Sequence, residues 1–277
     1  MSTITIQEIA EIREKFLGTM SLPVQWPEPR PRLDLESRSD SDERTFKHIH
    51  QSCIGHAGNF RISNQIKVIH LLDSYLTLAN SNPLGIYMAS RSALELCAFS
   101  HEVYKKLDSA KKHASQDWRG GGENFFKTIV RARFATSNPD FQQILKGQGA
   151  SRSVLKPMSI GECIKNLVNV HGFEDAYCRY ELLCDYVHHN LGSQSVNTAG
   201  SGASPTAQSS GGGLILMPGG GTITEYRYPI PEKTNQAIDK TIEGFIADVR
   251  ASWSALLDFP DTPYSPEQCE QFTGNSL

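Results

Sequence analysis

Long apolar runs are missing from this chain: no stretch of about eighteen hydrophobic residues occurs, which excludes a helix able to cross a membrane. Paired cysteines are missing too. The six that are present (Cys53, Cys97, Cys163, Cys178, Cys184 and Cys269) form no C-x-x-C, which argues against a zinc ribbon, a thioredoxin-type redox motif or a disulfide framework. Four of them fall in apolar, helix-like runs and read as reduced core thiols. There is no large excess of either charge, since 27 basic residues face 30 acidic ones for a net charge of −3. Long-range attraction to nucleic acid or to an anionic membrane is therefore not expected, and any such contact must come from a local patch. The opening residues lack the basic stretch and apolar core of a secretory signal, so a cytoplasmic location is expected. No period of 20 to 50 residues repeats, which disfavours a solenoid.

What the chain does contain is helical periodicity, and 39% hydrophobic content is ample for a core. The expected fold is mainly α: a helical bundle with one small β-hairpin before the last long helix. Residues 1–40 read as an N-terminal helix, from Ile4 to Leu17, and a strap in which Pro23, Pro27, Pro29 and Pro31 fix an extended path. Residues 41–260 read as one bundle. Its first helices are expected from Ser41 and from Ile62, with a break near Gly55 to Asn59. The others are expected from Pro83 to Leu107, Glu123 to Phe134, Asp140 to Leu145, Ser159 to Val170, Glu174 to His189 and Glu232 to Leu257. Within that span 193–213 is Ser, Gly, Ala, Thr and Gln with almost no apolar residue and reads as a mobile loop, and 214–228 reads as the hairpin. Residues 261–277 read as a tail.

Two segments could carry chemistry. In Leu84 to Phe99, LGIYMASRSALELCAF, Arg91 and Glu95 are the only charges of an apolar helix and share one face. A helix that apolar is expected to be buried through most of its circumference, where each charge needs a partner. In Tyr180 to Ser193, YELLCDYVHHNLGS, an apolar stripe runs beside a polar one holding Tyr177, Glu181, Asp185 and His188, and the segment closes on His188, His189, Asn190 and Gly192. Read plainly, Arg91 and Glu95 are a structural ion pair and the histidines end a core helix, where cations complement the helix dipole. Read chemically, the two segments meet across the bundle.

An R-x-x-x-E helix followed, about a hundred residues later, by a Tyr-rich helix ending in V-H-x-N resembles bacterial helical proteins of the HEPN superfamily. Here the residues are Arg91 and Glu95, then Tyr180, Leu183, Tyr186, Val187, His188 and Asn190, and the resemblance covers 61–193. It implies an α-helical homodimer and a metal-independent ribonuclease of toxin, antitoxin or antiviral defence systems, whose active site is an R-x4-6-H motif. The chain departs from that motif: Arg179 precedes His188 by nine residues, about 180° around a helix. Arg44 to His50 has the spacing but stands on another helix. An RNA-cleaving site would then take His188 as general base, Asp185 or Glu181 to orient it, Arg91 to stabilise the phosphorane, and Glu95 and Asn190 around them.

Positive charge is densest at Lys105, Lys106, Lys111, Lys112, His113, Arg119, Lys127, Arg131 and Arg133. Lys111, Lys112, Arg119, Arg131 and Arg133 are the expected RNA contacts, with a solvated helix face as the plainer account. His48, His50 and His56 lack a carboxylate at metal-site spacing, so no metal is expected, and no motif calls for a cofactor. Trp118 to Gly122, WRGGG, lacks the Lys-Ser/Thr of a P-loop and reads as a flexible turn before an anion-binding loop; Met217 to Gly221, MPGGG, reads as a turn. Two functions remain open: an RNA-cleaving effector working as a homodimer, and a catalytically silent interaction or sensor protein for another defence component.

Overall fold

In the computed structural model, which describes residues 3–20, 42–78, 83–147, 156–187 and 232–273, the described residues form helices and no strand. In chain order they are α1 (Thr3–Thr19), α2 (Asp42–Leu78), α3 (Pro83–Ala114), α4 (Trp118–Phe134), α5 (Pro139–Gly147), α6 (Ile160–Leu167), α7 (Ala176–Val187), α8 (Glu232–Leu257) and α9 (Pro266–Thr273). The fold is mainly α, as the periodicity indicates. The Pro-rich strap, the loop of 193–213 and the hairpin of 214–228 lie outside the described residues.

The centre of the bundle is α3, which packs against α2, α4, α6, α7 and α8. Its apolar residues explain that position: Leu94, Cys97, Ala98, Val103 and Leu107 are all buried. Aromatic pairs tie the outer helices to the core, with Tyr75 of α2 stacked on Phe245 of α8 at 4.3 Å and Phe16 of α1 on Trp253 of α8 at 4.3 Å.

Three expectations are corrected. The break near Gly55 to Asn59 does not occur: α2 is one helix of 37 residues, about 55 Å long at 1.5 Å per residue. Its buried residues Phe46, Ile49, Cys53, His56, Phe60, Asn64, Val68, Leu72 and Tyr75 keep three- and four-residue spacing straight through the glycines. Continuous burial outweighs the roughly 1 kcal/mol that a helical glycine costs.

WRGGG is likewise neither a flexible turn nor an anion loop but the first turn of α4, capped by Asp117, whose carboxylate accepts from the Gly120 amide at 3.0 Å. A carboxylate already occupies the position an anion would take. Bare Cα atoms are needed there for packing. A Cβ on Gly121 would lie 2.2 Å from the Ala114 amide nitrogen, and one on Gly122 would lie 2.0 Å from the Tyr264 hydroxyl.

Nor is 261–273 a tail. Ser265 and Gln268 form a reciprocal capping box at 3.1 and 3.3 Å that starts α9, with Pro266 as its first residue. Tyr264 donates to the Trp118 carbonyl at 3.1 Å and Gln268 to that of Ala114 at 2.7 Å, while Phe272 stacks on Phe46 at 4.6 Å.

Candidate functional site

Arg91 and Glu95 lie on the side of α3 that faces α7. Arg91 Nε donates to Glu95 Oε1 at 2.9 Å, and the two side chains keep 22% and 29% exposure. The expectation of burial around most of the helix holds, with Ile86, Tyr87, Ala89, Ala93, Leu94, Leu96, Cys97 and Ala98 all buried; Arg91 and Glu95 lie on the one strip of α3 that meets solvent, beside the half-exposed Met88 and the exposed Ser92. The Arg91 guanidinium sits 5.5 Å from the centre of the Tyr180 ring, a cation–π contact between α3 and α7. Burial works against the Arg91 charge, but the Glu95 carboxylate outweighs it and holds the guanidinium above its ordinary value. The Tyr180 hydroxyl is pushed up by burial and by its bond with Cys184, against the pull of Arg91. The side chains brought together are therefore Arg91, Glu95, Tyr180 and Cys184.

Asp185 lies one residue beyond Cys184 and is exposed. Glu181 holds the Tyr177 hydroxyl, raising its pKa, and Lys165 covers the Tyr177 ring at 5.5 Å. His188 and Asn190 lie outside the described residues.

A second arginine site, absent from the expected set, joins α7 to α8. Arg179 grips Asp248 with both guanidinium ends, Nη1 to Oδ2 at 3.0 Å and Nη2 to Oδ1 at 3.1 Å, and adds Asp175 at 3.2 Å. Asp248 is 1% exposed, and burial pushes its carboxyl up to about 6 despite the guanidinium beside it. Gly244, one turn earlier on α8, makes the room: a Cβ there would lie 2.5 Å from Arg179 Nη1. The signal was in the sequence, because Asp248 stands on the buried stripe Ile242, Phe245, Val249, Ser252 and Leu256. Arg179 thus serves the α7–α8 contact rather than an R-x4-6-H pair.

The basic residues do not form one free surface. Three lysines are held by acids one turn away: Lys106 by Glu102 at 2.5 Å, Lys112 by Asp108 at 2.7 Å and Lys127 by Glu123 at 3.1 Å. Arg119 lies over the Trp118 ring at 5.6 Å, and Arg131 donates to the carbonyls of Lys156 and Pro157 at 2.8 and 3.3 Å. Arg133 donates to His56 Nδ1 at 2.6 Å. His56 is buried between the edges of Phe126 and Phe134, and burial, then the Arg133 charge, lowers its pKa to about 4. Lys111 remains exposed. His50 bonds Thr262 Oγ1 at 2.9 Å, so His50 and His56 serve different neighbours. Among the described residues no three His, Cys, Asp or Glu side chains gather as a metal would require.

Compared with known proteins, the chain matches no family model, no curated protein and no solved structure.

Proposed function

We propose that this is an HEPN-like helical protein that cleaves RNA without a metal, as a toxin-type effector of bacterial defence working in the cytoplasm as a homodimer, with the seam between α3 and α7 as its site. The observation that carries the reading is the meeting of Arg91 and Glu95 with Tyr180 and Cys184, the start of the segment whose sequence continues into His188 and Asn190. A partly exposed cation held by a carboxylate and an aromatic face suits a group that receives negative charge on a phosphorane. His188 would take the proton of a ribose 2′-hydroxyl, whose oxygen attacks the neighbouring phosphorus while the 5′-oxygen leaves and is protonated. Asp185 is the nearest carboxylate in sequence to orient that base.

One observation favours the second reading, a catalytically silent interaction or sensor protein of a defence or toxin–antitoxin system. Arg91 and Glu95 satisfy each other within one helix, as a structural pair does.

Growth on induction separates the two, with Arg91→Ala and His188→Ala beside wild type and RNA cleavage by the purified chains measured in the presence of EDTA. Toxicity and cleavage that vanish in variants with unchanged melting temperatures support the nuclease. An inert wild type supports the interaction protein.

A further inference from the structure

Lys106 and His113 of the basic region do one thing more: they line a cleft. Between α3 and α4 lies a cavity of about 220 Å³ bounded by Lys106, Ser109, Ala110, His113, Asn124 and Thr128. Every polar side chain on its wall can donate a hydrogen bond, and no carboxylate is on the wall itself, though Asp117 lies 3.9 Å from His113 Nε2 just beyond it. His113 and Asn124 face each other at 3.5 Å across the two helices. Lys106 Nζ is held by Glu102, which also accepts from Asn166 at 3.0 Å. Burial works against the Glu102 charge, but Lys106 and Asn166 outweigh it and keep the carboxyl below its ordinary value. No aromatic ring lines the cleft, so it offers nothing on which a base would stack.

A concave set of ammonium, imidazole, amide and hydroxyl donors without a carboxylate or an aromatic is what a phosphate group requires and what a base does not. We propose that this cleft seats a backbone phosphodiester of single-stranded RNA, making Lys106, His113, Asn124 and Thr128 a sequence-independent contact distinct from the α3–α7 seam. The assignment rests on the RNA reading above and deepens it. It also sorts the basic region: Arg131 and Arg133 hold protein groups, whereas the α3–α4 cleft holds the ligand. Glu102 is the group that a phosphate displaces from Lys106.

Fluorescence anisotropy of the full chain with labelled single-stranded RNA oligonucleotides of unrelated sequence, over a range of salt, tests this. Lys106→Gln and His113→Gln should each weaken binding several-fold and equally for every sequence, and Lys106→Gln should reduce the salt slope by about 1. Glu102→Gln, which frees Lys106 and keeps an acceptor for Asn166, should tighten binding, a result that a purely structural role for the pair would not give. Thr128→Val repeats the test if Lys106→Gln lowers the melting temperature. A wild-type chain that binds RNA while all these variants bind equally well overturns the cleft and leaves the nuclease reading standing. A Lys106→Gln variant that weakens binding of inorganic phosphate but leaves RNA binding unchanged overturns the assignment in favour of a small-anion site. No RNA binding by wild type overturns both proposals.

Discussion

Two arginines meet the same helix from opposite sides of its chemistry. Arg179 projects from α7 into the core and closes on a carboxylate that is 1% exposed, whereas Arg91 reaches α7 from α3 and closes on one that keeps 29% exposure. The first pair joins two helices and the second lies within one. The arginines themselves are 19% and 22% exposed, so it is the burial of the carboxylate that decides what each pair can do. A charge in the interior is worth little net and is ruinous to orphan, while a charge at the rim costs little and stays available to a ligand. The contrast teaches where to look for function in this chain: the stronger ion pair is architecture, and the weaker one belongs to the candidate site.

The largest effect that could break this contrast is Arg179→Ala. It leaves Asp248 buried and uncompensated and should cost about 3–5 kcal/mol in urea unfolding. The double variant Arg179→Met with Asp248→Leu should be neutral or more stable than wild type, because it removes two desolvated charges together. If Arg179→Ala costs under about 1 kcal/mol, the pair is no more structural than Arg91 with Glu95.

Much of this division could be read from residue order, but not all. The helix from Glu232 to Leu257 was legible because Ile238, Ile242, Phe245, Val249, Trp253 and Leu256 keep three- and four-residue spacing and a proline, Pro231, precedes it. The break in α2 was misread because Gly55 and Gly58 were given more weight than the unbroken spacing from Phe46 to Tyr75. WRGGG misled for the opposite reason: Gly120 and Gly121 answer to Asp117 and Ala114 close by, but Gly122 answers to Tyr264, and no local propensity encodes a clash that far away. At the site, Arg91 and Glu95 stood out as lone charges in an apolar run. Asp248 is less conspicuous, because α8 also carries Asp239, Lys240, Glu243 and Arg250, and only its place on the buried face marks it out. The pairing of α7 with both α3 and α8 is tertiary information, and it separates the two arginines.

Acid titration sharpens the comparison from the side of the buried pair. Burial raises Asp248 to about 6, so its contribution is fully present below the unfolded value of 3.8 and is lost as pH rises through 6; a shift of this size is worth about 3 kcal/mol. His56 has the opposite sign. Lowered to about 4, it stabilises the fold above 6.5 and loses that contribution as pH falls toward 4, again about 3 kcal/mol. The two oppose each other between pH 4 and 6. The stability of Asp248→Asn minus that of wild type should therefore grow by about 3 kcal/mol from pH 4 to pH 7. A flat difference would mean that Asp248 is not desolvated in solution.

The smallest stability effect is the one that bears most on function. Arg91→Ala removes a partly exposed pair within one helix and a cation–π contact at 5.5 Å, together worth about 1 kcal/mol. The fold should survive it, with a melting temperature lower by a few degrees. Cleavage of RNA should not survive, since removing a preorganised donor to a developing phosphorane costs about 10²–10³ in rate. Arg91→Lys separates charge from geometry: it keeps a cation near Tyr180 but loses the planar fork that Glu95 and a phosphate can share. Restored stability without restored cleavage would place the requirement at the guanidinium, and would show that the rim arginine is kept for its reach toward a ligand rather than for its bond to Glu95.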